Sequence, residues 1–294
     1  MSPHPLLLQI FQSSGISPST LTQKGNLFSS PSHNYITKVG PDILQIRAEA
    51  FGLRAMSLTA PDLIPRPLGF QIDNQTAGFI SEYLHLTRYV GQESQRELGR
   101  QLAEMHRKPP EGTAGYTGLY GFDVPTFCGR TEQDNTWEES WEVFFRDRRL
   151  GDIVRRIGDE NIKDEWEIMK EKVVSLLLTN FYPPPEPVII HGDLWSGNVG
   201  WEKDTGRPVI IDPACYWGHN EVELGMTHMF GGFSGEFYDE YHKTHPRSQP
   251  YHEQRIRLYE LYHHLNHTLL FGSSYRFSTL SIMRKLIAWA DTVT

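Results

Sequence analysis

Residues 191–214, HGDLWSGNVGWEKDTGRPVIIDPA, constrain this chain more than any other stretch. Asp193 is followed five residues later by the amide of Asn198, and a second carboxylate, Asp212, ends the apolar run from Pro208 to Ile211. Segments 198–201 and 208–211 flank the polar turn Lys203–Gly206, so the pattern predicts a hairpin. Such a hairpin delivers two acids and an amide to one place.

That residue set suits phosphoryl transfer, which needs an acceptor for the incoming proton and cations to neutralise charge on the phosphoryl oxygens. Asp193 is predicted to face the attacking hydroxyl, with Asn198 and Asp212 holding magnesium against the phosphates of ATP. The triplet His-x-Asp alone means little, because it arises by chance and a surface Asp is usually only solvated. The spacing of Asn198 and Asp212, together with an upstream lysine, carries the argument. Asp212-Pro213-Ala214 stands where protein kinases have Asp-Phe-Gly, so the metal carboxylate is kept and the switching Phe is not. Gly192 stands where they have the Arg that reads activation-loop phosphate. Both differences indicate a small-molecule kinase that needs no activation-loop phosphorylation.

Upstream, Lys38 ends the β-like run Tyr35-Ile36-Thr37 and is the candidate for the nucleotide phosphates, with Glu49 in the next helix as its partner. The competing reading is an exposed ion pair worth about 0–1 kcal/mol. Glu82-Tyr83-Leu84 ends a strand where backbone groups can bind adenine; the plainer reading is an ordinary strand end. Trp195, two residues beyond Asp193, presents a flat face to a sugar-like acceptor, or else anchors the loop in the core. Asn220-Glu221-Val222-Glu223 has the form of a helix cap. His263 and His267 have a spacing that can bind metal, yet the sequence offers no third ligand and the surrounding Tyr and Leu predict a packed helix.

Along the chain, residues 12–34 are rich in Ser, Thr, Gly, Asn and Pro and predict a loop or ill-defined hairpin. Periodicity predicts a helix over 43–57 and strands over 69–72 and 77–83, joined by a turn at 73–76. Helices are then predicted from about residue 92, over 137–157 and 164–178, near 221, and over 235–242, 252–271 and 278–292. The expected fold class is α+β, two-lobed and protein-kinase-like. A small β-rich nucleotide-binding lobe spans 1–84 and a larger, mainly helical catalytic and substrate-binding lobe spans 85–294.

With 28 basic and 36 acidic residues, net −8, and no basic stripe, a nucleic-acid partner is disfavoured and the expected partner is small. The apolar patch Leu6–Phe11 is too short and lacks the basic flank of a secretory signal, and no Arg precedes Arg47 as a transit peptide would require. No apolar run approaches the roughly 20 residues that span a bilayer. Two distant cysteines fit a reducing compartment. A cytoplasmic protein, monomeric or weakly dimeric and without membrane partners, is expected.

With those residues in place, the sequence resembles the fructosamine kinase (ketosamine-3-kinase) family, a branch of the aminoglycoside-phosphotransferase-like kinases. The resemblance rests on Gly121-Phe122-Asp123 through Cys128-Gly129, Asn135-Thr136-Trp137 with Trp141 and Phe144-Phe145, HGDLWSGNV at 191–199, residues 210–233, Tyr262–Phe271 and Ile282-Met283-Arg284. It implies phosphorylation of the 3-hydroxyl of fructosamines or ribulosamines, free or protein-bound, using ATP and magnesium. The 3-phosphate beside the ketone then breaks down to release the amine, so the kinase starts deglycation. Carried over by position, Asp193 is the proton acceptor, Asn198 and Asp212 the metal ligands, Lys38 the phosphate lysine, Glu82–Leu84 the adenine hinge and Trp195 the acceptor-side aromatic. The chain departs from the family at its Gly-rich turn, for which only Ser13-Ser14-Gly15-Ile16 and Lys24-Gly25-Asn26 are available. Two alternatives stay open: a related kinase of aminoglycoside or choline type, and a pseudokinase that binds without catalysis.

Overall fold

The structure, a computed structural model, describes residues 3–88 and 91–293. Strands β1 (Thr22–Lys24), β2 (Leu27–Ser29), β3 (Asn34–Gly40), β4 (Pro67–Ile72) and β5 (Ala77–Glu82) form one antiparallel sheet in the order β1-β2-β3-β5-β4. The β4–β5 turn is made by Asp73, whose carboxylate accepts the amides of Gln75 and Thr76, each at 2.9 Å. The segment expected to be a loop or ill-defined hairpin contains the β1–β2 hairpin. Its three-residue strands are too short for alternation to announce them.

The apolar patch near the start forms helix α1 (Pro5–Ser13), which the sequence reading did not identify as a helix. Its Leu7, Ile10 and Phe11 share a separate core with Phe28, Tyr35 and Ile80 of the sheet. On the other connection, α2 (Ile43–Ser57) begins where Asp42 caps it, accepting the Gln45 amide at 3.3 Å. Both ends match the periodicity.

Strand β6 (Leu86–Thr87) leaves the first sheet and pairs with the later hairpin. Helix α3 (Gln92–Met105) and the hairpin β7 (Thr126–Cys128) and β8 (Thr131–Gln133) follow. Helices α4 (Trp141–Phe145) and α5 (Asp152–Ile157) are one continuous helical run through a π-helical turn, as are α6 (Glu160–Met169) and α7 (Ser175–Leu178). The first run starts at 141 rather than 137 because Ser140 caps it, its hydroxyl accepting the Val143 amide at 3.3 Å. The second starts at 160 rather than 164 because Asp159 caps it, accepting the Ile162 amide at 3.1 Å.

Strands β9 (Val188–Ile190), β10 (Val199–Glu202), β11 (Pro208–Ile210) and β12 (Tyr216–Gly218) carry the motif, with β10 and β11 paired as the predicted hairpin. Helices α8 (Glu221–Phe230), α9 (Gly235–Thr244), α10 (His252–Phe271) and α11 (Ser273–Ala290) complete the chain. The large core unites Trp141, Phe144, Phe145, Tyr259 and Leu265 with strands β9 to β12. Each such large apolar side chain contributes about 1.5–3 kcal/mol on full burial. The hairpin is therefore mounted on the large core. Among the described residues no helix is long and apolar enough to cross a membrane.

Candidate active site

Strand β9 is buried along its length and delivers residues 191–193 to a loop. His191 staples that loop: its Nε2–H donates to the Ile211 carbonyl at 2.7 Å, and its Nδ1 accepts the Asp193 amide at 3.3 Å. Burial lowers its pKa, as a neutral ring with one donor and one acceptor requires. Gly192 has φ +79°, and a Cβ there would lie 2.4 Å from the Ala214 carbonyl oxygen. Only glycine fits, which accounts for this position without reference to the missing Arg.

Asn198 closes the loop on the other side, its Nδ2 donating to the Asp193 carbonyl at 2.9 Å. That bond leaves Oδ1 as the side-chain atom available to a ligand. The Asn198 carbonyl in turn accepts the Ile211 amide at 3.0 Å, and the His191 carbonyl accepts the Ala214 amide at 2.8 Å. Asp212, between those two bonds, takes a left-handed φ of +57°, a conformation costing on the order of 1–2 kcal/mol for a non-glycine residue. Its carboxylate is 60% exposed and turned to the β-sheet side, 3.5 Å from Lys38 Nζ.

Lys38 bonds Glu49 at 2.5 Å, so strand β3, helix α2 and the end of β11 meet at one cation. Burial opposes the ammonium charge, yet Glu49 and Asp212 outweigh it and hold the Lys38 pKa above its ordinary value. Glu49 is pushed up by burial against the pull of Lys38. Helix α2 is seated at Gly52, where a Cβ would come within 3.0 Å of Cys215 Cβ and 3.3 Å of Pro213. The helix carrying Glu49 thus rests on the residues that follow Asp212.

A cavity of about 220 Å³ is lined by Lys38, Glu49, Glu82, Tyr83, Leu84 and Asp212, among others. The Glu82 and Tyr83 amides are already taken by the carbonyls of Arg66 and Asn34, at 2.8 and 2.9 Å. Of the two glycine turns, Lys24-Gly25-Asn26 is the β1–β2 turn, with Gly25 at φ +63°, and Ser13-Ser14-Gly15-Ile16 ends α1.

Asp193 sits mostly buried between this region and helix α10. Burial, with Glu223 and Asp212 adding negative charge nearby, pushes its pKa up to about 7, against a hydrogen bond from the Cys128 thiol. On its far side, Trp195 is 39% exposed and lines a second cavity of about 380 Å³ with Arg88, Gln95 and Phe233. Its ring meets Phe230 at 5.9 Å, and Phe230 meets His267 at 5.4 Å. A larger hollow of about 570 Å³ includes Asp134 and Asp152, but those acids are already paired with Arg148 and with Arg155 and Arg156.

Four further residues reach the site from distant segments of the chain. Glu223 is fully buried and accepts the His191 and Gly192 amides at 2.5 and 3.0 Å. Although burial opposes its charge, the neighbouring His106 and the loop amides keep its pKa below the ordinary value. The capping interpretation of 220–223 is therefore corrected: Asn220 makes no cap bond, Glu223 holds the loop, and Glu221 bonds His252 and Arg255 at 2.8 and 2.7 Å. Gln95 clasps the 232–234 turn through the Gly232 carbonyl and the Ser234 amide. Cys128 and His263 lie behind Asp193. His267 Nδ1–H donates to the His263 carbonyl at 2.7 Å, and it is His263, not His267, that lies with Cys128 and Asp193.

The fructosamine kinase family model matches residues 24–289. A chloroplastic protein-ribulosamine 3-kinase of Oryza sativa subsp. indica is 42% identical over 253 residues, covering 84% of this chain and 69% of its own. The ketosamine-3-kinase of Mus musculus is 36% identical over 261 residues, covering 81% and 82%. A candidate fructosamine-3-kinase crystal structure from Thermobifida fusca YX-ER1 is similar with a TM-score of 0.77 at 25% identity, covering 98% of this chain and all of that one.

Proposed function

Because the chain belongs to the fructosamine kinase family, we propose that it transfers the γ-phosphoryl group of ATP to the 3-hydroxyl of ketosamines and so starts the deglycation of amines or proteins. The observation that carries this reading is the meeting of Lys38, Glu49 and Asp212 at 2.5 and 3.5 Å, bonded through backbone to the loop that presents Asp193.

In the proposed reaction the acceptor hydroxyl loses its proton to the Asp193 carboxylate as its oxygen bonds the γ-phosphorus, and the bond to the β,γ-bridging oxygen breaks to release ADP. Burial makes Asp193 a stronger base than an ordinary carboxylate. Lys38 neutralises phosphate charge, and the Gly25 turn covers the phosphates with backbone amides. Since the Glu82 and Tyr83 amides are occupied, a backbone donor to adenine falls to Leu84. The oxygens of Asn198 and Asp212 are a donor set that fits magnesium. A magnesium ion there would draw charge from the phosphoryl oxygens.

We place the acceptor sugar against Trp195, whose exposed face and contact with Phe230 form a wall beside Asp193. The nucleotide lobe is proposed to end at residue 84, supported by β6 pairing with β10 immediately beyond it. Both cysteines are free and buried, which supports a reducing compartment such as the cytosol. The test is phosphate transfer from ATP to a matched set of fructosamines and ribulosamines, with the product mapped by NMR. Phosphate on the 3-hydroxyl is expected; phosphate elsewhere, or on aminoglycosides or choline in preference, overturns the assignment.

A further inference from the structure

We propose that Cys128, Asp193 and His263 form a latent zinc site behind the candidate base, and that zinc bound there stops phosphoryl transfer by occupying the Asp193 carboxylate. The three residues come from the end of β7, the loop after β9 and the middle of α10, yet one ligand atom from each lies within 4.8 Å of the other two. Thiolate, imidazole and carboxylate are the ligands zinc takes, at about 2.0–2.3 Å. A tetrahedral ion at those distances holds its ligands roughly 3.3–3.8 Å apart. Closing the cluster therefore needs about an ångström of side-chain movement.

The surroundings point to a ligand. His263 is 3% exposed and its Nδ1 is buried with no hydrogen-bond partner among the described residues, whereas buried ring nitrogens in folded proteins are nearly always satisfied. Cys128 is 1% exposed, and Asn266 donates to its carbonyl at 3.2 Å, so hairpin and helix are already joined at the site. Asp193 alone of the three is partly exposed, so a fourth ligand enters from the cleft. Magnesium, which demands oxygen ligands, is not the ion for a sulfur and nitrogen pair. This site is thus chemically separate from Asn198 and Asp212, although it shares a wall with them.

The inhibitory consequence rests on Asp193 being the base; the binding itself does not. The purified chain, stripped with chelator, is titrated with cobalt(II) and with zinc in excess magnesium. One equivalent of cobalt is expected to produce a thiolate-to-metal band, lost in Cys128→Ser and kept in Cys215→Ser. Zinc affinity should fall in Cys128→Ser and in His263→Gln by more than the roughly 10–100-fold that loss of an outer-shell partner costs. One equivalent of zinc should abolish wild-type turnover, chelator should restore it, and Cys128→Ser should escape relative to its own zinc-free rate. Absence of the band from folded wild-type protein, unchanged affinity in both variants, or turnover indifferent to zinc overturns the proposal. A Cys128→Ser variant that fails to fold leaves the wild-type band and the His263→Gln affinity to decide. A protein that shows the band but phosphorylates no ketosamine sinks the functional reading and leaves the metal site standing.

Discussion

Glu223 accepts the backbone amide of His191 at 2.5 Å, so a side chain of helix α8 holds the loop two residues ahead of the candidate base. Its other oxygen takes the Gly192 amide at 3.0 Å. In Glu223→Gln one oxygen becomes an N–H aimed at an amide N–H, so a charge-assisted bond worth about 1.5–3 kcal/mol is lost. Urea denaturation should show a destabilisation of that order, with kcat falling and the KM for ATP nearly unchanged. A variant with wild-type stability and kcat would mean the loop is held by other contacts.

Asp193→Asn is expected to lower kcat by roughly 100- to 10,000-fold, the usual contribution of a positioned base, with circular dichroism unchanged. Wild-type activity should rise with pH through an inflection near 7, because the carboxylate must be ionised to accept a proton. Saturating magnesium and ATP should move that limb to lower pH, since a cation beside Asp212 favours the charged form. An Asp193→Asn variant that keeps wild-type turnover removes the assignment.

The same shift predicts a stability effect of definite sign. A carboxyl whose folded pKa lies above its unfolded value contributes stability that is fully present below about pH 4 and is lost as pH rises through about 7. Over that window the wild type should therefore lose stability relative to Asp193→Asn. Parallel denaturation curves at pH 4 and pH 8 would contradict the raised pKa.

Lys38→Met removes the cation shared by Glu49 and Asp212 and leaves two carboxylates facing the same cavity. The KM for ATP should rise by about tenfold or more, each tenfold corresponding to about 1.4 kcal/mol, and kcat should fall as well. Isothermal titration with a non-hydrolysable ATP analogue checks the binding part. Undiminished nucleotide affinity would place the phosphates elsewhere.

Glu221 and Arg255 form a buried pair at 2.7 Å, and the guanidinium also bonds the carbonyls of Ser248 and Pro250. Glu221→Ala leaves that cation uncompensated and should cost about 3–5 kcal/mol, far more than loss of an exposed pair such as Arg284–Glu165. Comparison of the two variants by chemical denaturation decides whether burial sets the difference.

The hairpin and helix α2 were legible because their signals are local: alternation around a polar turn, and periodicity bounded by Asp42. Asp193, Asn198 and Asp212 were legible as chemistry for the same reason, since 20 residues contain them all. The placement of Glu223, Gln95, Cys128 and His263 at this site was not, because each reaches it from a distant segment through tertiary packing. The cap-like pattern at 220–223 misled because both glutamates point into the core rather than back at their own helix. Helix α1 was not read from the sequence, although Pro5 at its first position was a signal available there; the His4 ring that accepts the Leu6 amide is seen only in the fold.

That first helix has a consequence for how the chain is made. Leu7, Ile10 and Phe11 are synthesised well before Ile80, which they pack against and which belongs to the last strand of the sheet. Until the ribosome has released residue 82, the greasy side of α1 has no finished surface to lie on. A nascent chain stalled before that point exposes it to the cell.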